Sequence, residues 1–314
     1  MKKGMILLLV ACVMIGSLGI ANALAADKIQ IGAAMPVFDD KWLSYLYDGI
    51  RTKAAEYPDV EMIMVDANND SGRQLSQVEN FIVQGVDVIL IIPVDVETMG
   101  QLVKRANDAN IPMIVMNRKP SDEVLEKCAA YVGSDSITAG IMQMEWIAEK
   151  IGGKGNVCIL TGWPGHEAQI MRTKGVHDVV AKYPDIKITR EATGKWDRAL
   201  GMQVMENWLQ ADPDITAIAS NNDEMAIGAI KAAEAAGRLD EIVFGGVDAT
   251  PDALEFVKEG KLHVTVFQDA YGQGAGGVED SYKVAKGEPV EKLVWIPYEL
   301  VTLENVETYV KKWE

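Results

Sequence analysis

What most constrains the fold is a sustained alternation of short apolar runs with segments of helical spacing, from residue 28 to residue 267. VDVILIIP (86–93) is apolar almost throughout, as a strand must be when helices cover both faces of its sheet. KIQIGAAM (28–35), EMIMVDA (61–67) and PMIVMN (112–117) are runs of the same kind. Between them, Trp42, Leu46, Ile50 and Ala54 repeat at a helical interval over 41–57, and helices are expected at 71–84 and 96–109. After Tyr131-Val132-Gly133-Ser134-Asp135 the rhythm restarts. Helices are expected at 137–151, 166–182, 198–210 and 223–236, and strands at 156–162, 186–192, 215–221, 241–247 and 262–267. This order predicts an α/β protein with parallel sheets and helices on both faces. No Pro-rich or Ser-rich linker divides the halves, so the chain reads as two lobes joined by short crossovers, suited to hinge closure.

The first 26 residues read as a cleaved secretion signal. Lys2 and Lys3 form its charged start, an apolar stretch begins at Met5, and Ala23-Leu24-Ala25 is a small-x-small cleavage pattern. Leu9-Val10-Ala11-Cys12 resembles a lipoprotein box, but the residues after Cys12 stay apolar, unlike a polar tether. The formal charge is −16, and more negative by the two leader lysines once they are removed. Such an acidic surface disfavours nucleic acid and anionic lipid as partners. With only Cys128 and Cys158 beyond the leader, the chain is no disulfide scaffold.

In open α/β sheets, ligands bind just outside the carboxyl ends of the strands. Those ends carry Asp40 and Trp42 after 28–35, Asn117 and Arg118 after 112–117, and His166 with Arg172 after 156–162. Trp196 follows 186–192, Asn222 follows 215–221, and Asp248 and Gln268 end the last two runs. A sugar or cyclitol needs this mixture. Planar Asp, Asn, Gln and Arg groups can each engage neighbouring hydroxyls, and the ring's C–H faces pack on aromatic rings.

Each residue has a plainer reading too. An Asp at a strand end is often the N-cap of the next helix, a role weighing at least as much as ligand contact for Asp135 and Asp197. Trp146, Trp208 and Trp295 fit packing positions, and His177 and His263 lack partners at metal-ligand spacing. Gly272-Gln273-Gly274-Ala275-Gly276-Gly277 fits a dinucleotide fingerprint, but no further βα unit follows it, and close backbone packing explains the glycines better. His166-Glu167 is not a zinc motif, since position 170 is Ile. There is no GxSxG elbow or Walker loop. A secreted sugar-acting enzyme would have to use carboxylates such as Asp40 and Asp248, and nothing in the sequence argues for a general acid. Neither a catalytic residue, a cofactor nor a metal is expected.

From Ile29 to about Val306, FDDKW, NRKP, YVGSD, GWPGHEAQIMRT, KWD, SNNDEMAIGA, GGVDATPDAL and TVFQDA together resemble the periplasmic sugar-binding proteins of ABC importers, the ribose/galactose/inositol class of type I fold. The resemblance implies two Rossmann-like lobes and a three-segment hinge near Ser134-Asp135, Gln268-Asp269 and Trp295-Pro297. The lobes would be 27–133 plus 269–295 and 134–268 plus 296–314. It implies that Trp42 and Trp196 sandwich a ring. Asp40, Asn117 and Arg118 would hold hydroxyls from one lobe, and Arg172, Asn222 and Asp248 from the other, with His166 also in the set and Gln268 at the crossover. FDDKW, the His166 segment and KWD look like glucose/galactose-binding proteins, whereas GGVDAT, VTVFQDAYGQG and IPYELVT look like the inositol branch. Ala168 stands where galactose-binding proteins place Asp, and Gln268 where they place Asn. Gly152-Gly153-Lys154-Gly155-Asn156 replaces their calcium loop. The expectation is a monomeric periplasmic receptor for myo-inositol, with glucose or galactose as the alternative. Its partners would be an ABC permease and, as a second role, a chemoreceptor.

Overall fold

The computed structural model describes residues 28–211 and 214–313. The expected leader, with Cys12, lies outside the described residues. The first lobe runs β1 (Ile29–Met35), α1 (Lys41–Ala55), β2 (Val60–Asp66), α2 (Ser71–Gln84), β3 (Val88–Ile91), α3 (Met99–Asp108), β4 (Met113–Met116), α4 (Asp122–Leu125) and β5 (Ala130–Gly133). The second continues with α5 (Ser136–Lys150), β6 (Lys154–Thr161), α6 (Glu167–Val180), β7 (Asp185–Thr193), α7 (Arg198–Ala211), β8 (Ile215–Ser220), α8 (Asp223–Ala235), β9 (Val243–Gly245), α9 (Pro251–Lys258) and β10 (Val264–Phe267). The chain then returns to the first lobe as α10 (Ala270–Ala285) and β11 (Leu293–Trp295), and crosses back as β12 (Glu299–Thr302) and α11 (Val306–Val310).

Each lobe is built on a six-stranded sheet, in the orders β11-β5-β4-β3-β1-β2 and β12-β10-β9-β8-β6-β7. The strands are parallel as the alternation predicts, except β12, which runs antiparallel to β10 as an edge strand. The sequence reading ends its series at 267 and does not mark β5, β11 or β12 as strands. At three or four residues each, they are too short to show a period. The central strands β3, β4 and β5 are buried along their whole length, which explains their unbroken apolar character.

Helix packing sets how closely the strand ends can be drawn together. The fingerprint glycines lie inside α10, which packs on α1 and on the first sheet, rather than in a phosphate loop. A Cβ on Gly274 would lie 2.2 Å from the Leu46 carbonyl oxygen. Asp269 instead caps this helix by accepting from the Gly272 amide at 2.7 Å. In the second lobe, a Cβ on Gly140 would lie 2.1 Å from the carbonyl oxygen of Arg172, so α5 and α6 touch through backbone. Cys128 and Cys158 are buried in different lobes and do not pair with each other. Trp208 is core as expected, but Trp295 is not: it stands 45% exposed at the end of β11, edge-on to Tyr131.

Candidate functional site

The carboxyl ends of the two sheets face each other across a cleft, and all ten sequence-predicted residues line it: Asp40, Trp42, Asn117, Arg118, His166, Arg172, Trp196, Asn222, Asp248 and Gln268. The space open to the centre of a water-sized sphere is about 90 Å³. One water needs roughly 10–15 Å³ by this measure, so the cleft has room for several waters or one small ring. Lys41, Leu43, Ser136, Ala168, Glu224 and Thr250 complete the lining. Sequence reasoning does not assign these six as ligand residues, although Lys41, Ala168, Glu224 and Thr250 sit inside the quoted motifs FDDKW, GWPGHEAQIMRT, SNNDEMAIGA and GGVDATPDAL.

The first-lobe groups come from the β1–α1 and β4 ends. Asp40 is the N-cap of α1, accepting from the Leu43 amide at 2.8 Å through one carboxylate oxygen. Burial raises its pKa, against the pull of that amide and of the Arg118 charge. Arg118 is anchored by donating to the carbonyls of Pro93 (2.7 Å) and Val94 (3.2 Å). Asn117 adopts a left-handed backbone, φ 61°. Its carbonyl accepts from the Tyr131 hydroxyl at 2.8 Å, and its side-chain amide donates to Gln273 at 3.1 Å. Trp42 is 8% exposed and donates its indole N–H to the Gln268 carbonyl at 3.3 Å, a contact that spans the lobes.

The second lobe is organised around Arg172, buried on α6. It donates to the Asn221 carbonyl (2.7 Å), the Gln268 side-chain oxygen (2.7 Å), the Tyr298 hydroxyl (3.1 Å) and Asp248 (3.4 Å). Its Nε–H has no hydrogen-bond partner among the described residues. Burial pushes the Asp248 carboxyl well above its ordinary pKa, with Arg172 pulling the other way and Asp223 adding to the rise. Asn222 caps α8 by accepting from the Met225 amide at 3.1 Å and donates to the Trp196 carbonyl at 3.3 Å. The Trp196 indole donates to His166 Nδ1 at 3.1 Å. Burial, with the Arg118 charge, lowers the His166 pKa to about 3. The ring is therefore neutral at pH 7, and with Nδ1 accepting, Nε2 carries the hydrogen.

Backbone strain concentrates here. Asn117, Trp196 (φ 66°) and Asp248 (φ 118°) all have positive φ. For Trp and Asp this costs on the order of 1–3 kcal/mol each and persists only where the surroundings fix it. Of the two aspartates weighed as caps, Asp197 is one, accepting from the Leu200 amide at 2.8 Å. Asp135 is not: its carboxylate takes the Thr138 hydroxyl at 3.1 Å and no cap amide. His263 accepts from the Phe244 amide, and His177 pairs with Glu191, both away from the cleft. Supporting residues that the sequence reading misses are Tyr298 and Gln273. No spacing signal marks them, because each reaches the site only after a distant segment folds back.

A family model described as the periplasmic binding protein domain matches residues 31–289. The putative rhizopine-binding protein of Rhizobium meliloti is 43% identical over 303 residues, 94% of this chain and 98% of its own. The ribose import binding protein of Escherichia coli is 34% identical, over 93% of this chain and 96% of its own. The solved structure of an ABC transporter solute binding protein from Bacillus halodurans C-125, with bound myo-inositol, is 47% identical with a TM-score of 0.88, covering 92% of this chain and 100% of that one. The chain belongs to the periplasmic binding protein family, among the sugar-binding proteins of ABC importers with the type I fold.

Proposed function

We propose that this protein captures myo-inositol, or a closely related six-membered cyclic polyol, by closing its two lobes over it in the periplasm, and hands it to the permease of an ABC importer. The observation that carries this reading is the lining of the cleft. Hydroxyl-bonding side chains converge on one ring-sized space from both lobes, with a tryptophan from each. Myo-inositol bears a hydroxyl on every ring carbon, which suits a wall with hydrogen-bonding side chains from both lobes and an aromatic face from each. Arg172, with its unpartnered Nε–H, and Asp248 would bind hydroxyls from the second lobe. Asp40, whose cap bond uses one oxygen, and Arg118 would do so from the first. Trp42 and Trp196 would cover the ring's C–H faces. The myo-inositol held by the Bacillus halodurans relative supports this choice of ligand.

The ligand would touch both lobes only when they are closed, and that difference in affinity is what would drive closure. The three crossings, 134–135, 268–269 and 296–298, would serve as the hinge. The reading assigns no turnover to the cleft carboxylates. The glucose or galactose alternative draws on the neutral His166 paired with Trp196, the part of the site carried by motifs of that branch.

Calorimetric titration of residues 27–314 with myo-inositol, glucose, galactose and ribose tests the reading. Tight saturable binding of myo-inositol with weak or no response to the others is expected. Preference for glucose or galactose would transfer the assignment to the alternative. Silence toward all four would overturn it.

A further inference from the structure

We infer that Trp313 is a positioning residue: it fixes the strained turn that presents Asp248 to the cleft and ties that turn to the opposite lobe. The inference rests on the reading of Asp248 as a polyol ligand.

Asp248 and Ala249 have φ of 118° and 50°, values that non-glycine residues keep only when their neighbours hold them there. The amide side of the turn is held by buried Asp223. That carboxylate accepts from the Thr265 hydroxyl at 2.7 Å and from the Thr250 amide at 3.2 Å. Thr265 in turn accepts from the Ala249 amide at 3.3 Å. The carbonyl side is held from elsewhere. The Trp313 indole N–H, contributed by the C-terminal segment after α11, donates to the Ala249 carbonyl at 2.8 Å. Without that donor, a buried carbonyl beside the ligand residue loses its partner.

The same indole contacts both lobes. Its ring lies edge-on to Phe267 of β10 at 5.8 Å, in the second lobe, and against Tyr45 of α1 at 4.6 Å, in the first. The Tyr45 contact requires the lobes to be drawn together. Closure and the fixed pose of Asp248 then stabilise each other through one side chain. The expected consequence is slow release rather than fast capture, since the contact exists only after closure.

Trp313→Phe keeps an aromatic ring and removes the N–H donor. Tyr45→Ala removes only the first-lobe side of the contact and lies outside the cleft lining. In the ligand-free full chain, amide hydrogen exchange at residues 248–250 should quicken roughly fivefold in Trp313→Phe, as loss of one buried hydrogen bond implies. Stopped-flow release of myo-inositol should be faster by up to about tenfold in Trp313→Phe, and faster in Tyr45→Ala, with little change in the association rate. Combining Trp313→Phe with Asp248→Asn should cost less affinity than the two single changes summed. Unaltered exchange at 248–250, or fully additive losses, would overturn the role given to Trp313. If the wild-type protein binds no polyol, the ligand reading fails, while the exchange result still decides whether Trp313 holds the turn.

Discussion

Arg172 shows how single residues assemble this site. One guanidinium, 4% exposed, collects the end of β8, the end of β10, the segment before β12 and the Asp248 turn. A charge so enclosed is tolerated only because nearly every donor is used. If Trp42 and Trp196 cover the ring faces, Trp42→Ala or Trp196→Ala should weaken polyol binding by roughly 1–3 kcal/mol, measured by calorimetry. Unchanged affinity in both would remove the stacking assignment. Asp248→Ala should weaken binding more than Asp135→Ala, because Asp248 points into the cleft and Asp135 bonds a neighbouring threonine. The opposite order would exchange their roles. The strand-end residues are legible in the sequence because an α/β fold fixes where such ends meet. Gln273 is not. A glutamine within a helix carries no sign that it will reach Asn117 and Ser134 until α10 is known to lie over the first sheet.

At the scale of elements, affinity depends on helices that approach through glycine. Gly140 lets α5 touch α6 at the backbone of Arg172 itself. Gly140→Ala must push α6 outward, and overpacking of this kind costs typically 1–3 kcal/mol. Both the melting temperature and the affinity for polyol should fall. Gly274→Ala, at the α1–α10 contact in the other lobe, should lower stability comparably and act on the site through α1, which carries Trp42. Loss of stability with full affinity in Gly140→Ala would show that Arg172 does not depend on the α5–α6 contact. The long elements are legible from periodicity. The returning strands are not: β11 and β12 gain their identity from pairing with β5 and β10, whose partner residues lie 162 and 32 to 38 residues earlier. Capping is legible only in part, since Asp40 and Asn222 serve both a helix and the cleft.

At the scale of the whole molecule, burial between the lobes makes stability depend on pH. Glu167, at the start of α6, accepts from the Ser136 hydroxyl at 2.9 Å, yet burial raises its pKa from 4.5 to about 7. The folded state therefore holds this proton where the unfolded chain releases it, and stability from this group falls as pH rises from about 4.5 to 7. Glu167→Gln should match wild type most closely near pH 4 and gain relative to it as pH approaches 7, followed by thermal melts across that range. A difference that does not vary with pH would contradict the shift. His166, held neutral down to about pH 3, contributes in the opposite sense but equally to both proteins. Its neutrality also means that polyol affinity should not change through its titration between pH 5 and 8.

The central claim is that the cleft holds one cyclic polyol between two tryptophans supplied by different lobes. A crystal structure of residues 27–314 grown with myo-inositol tests it most directly. The expected result is a single ring between Trp42 and Trp196, with hydroxyls bonded to Asp40 and Arg118 on one side and to Arg172, Asn222 and Asp248 on the other. A ring bound outside the cleft, or one that touches neither tryptophan, would contradict it.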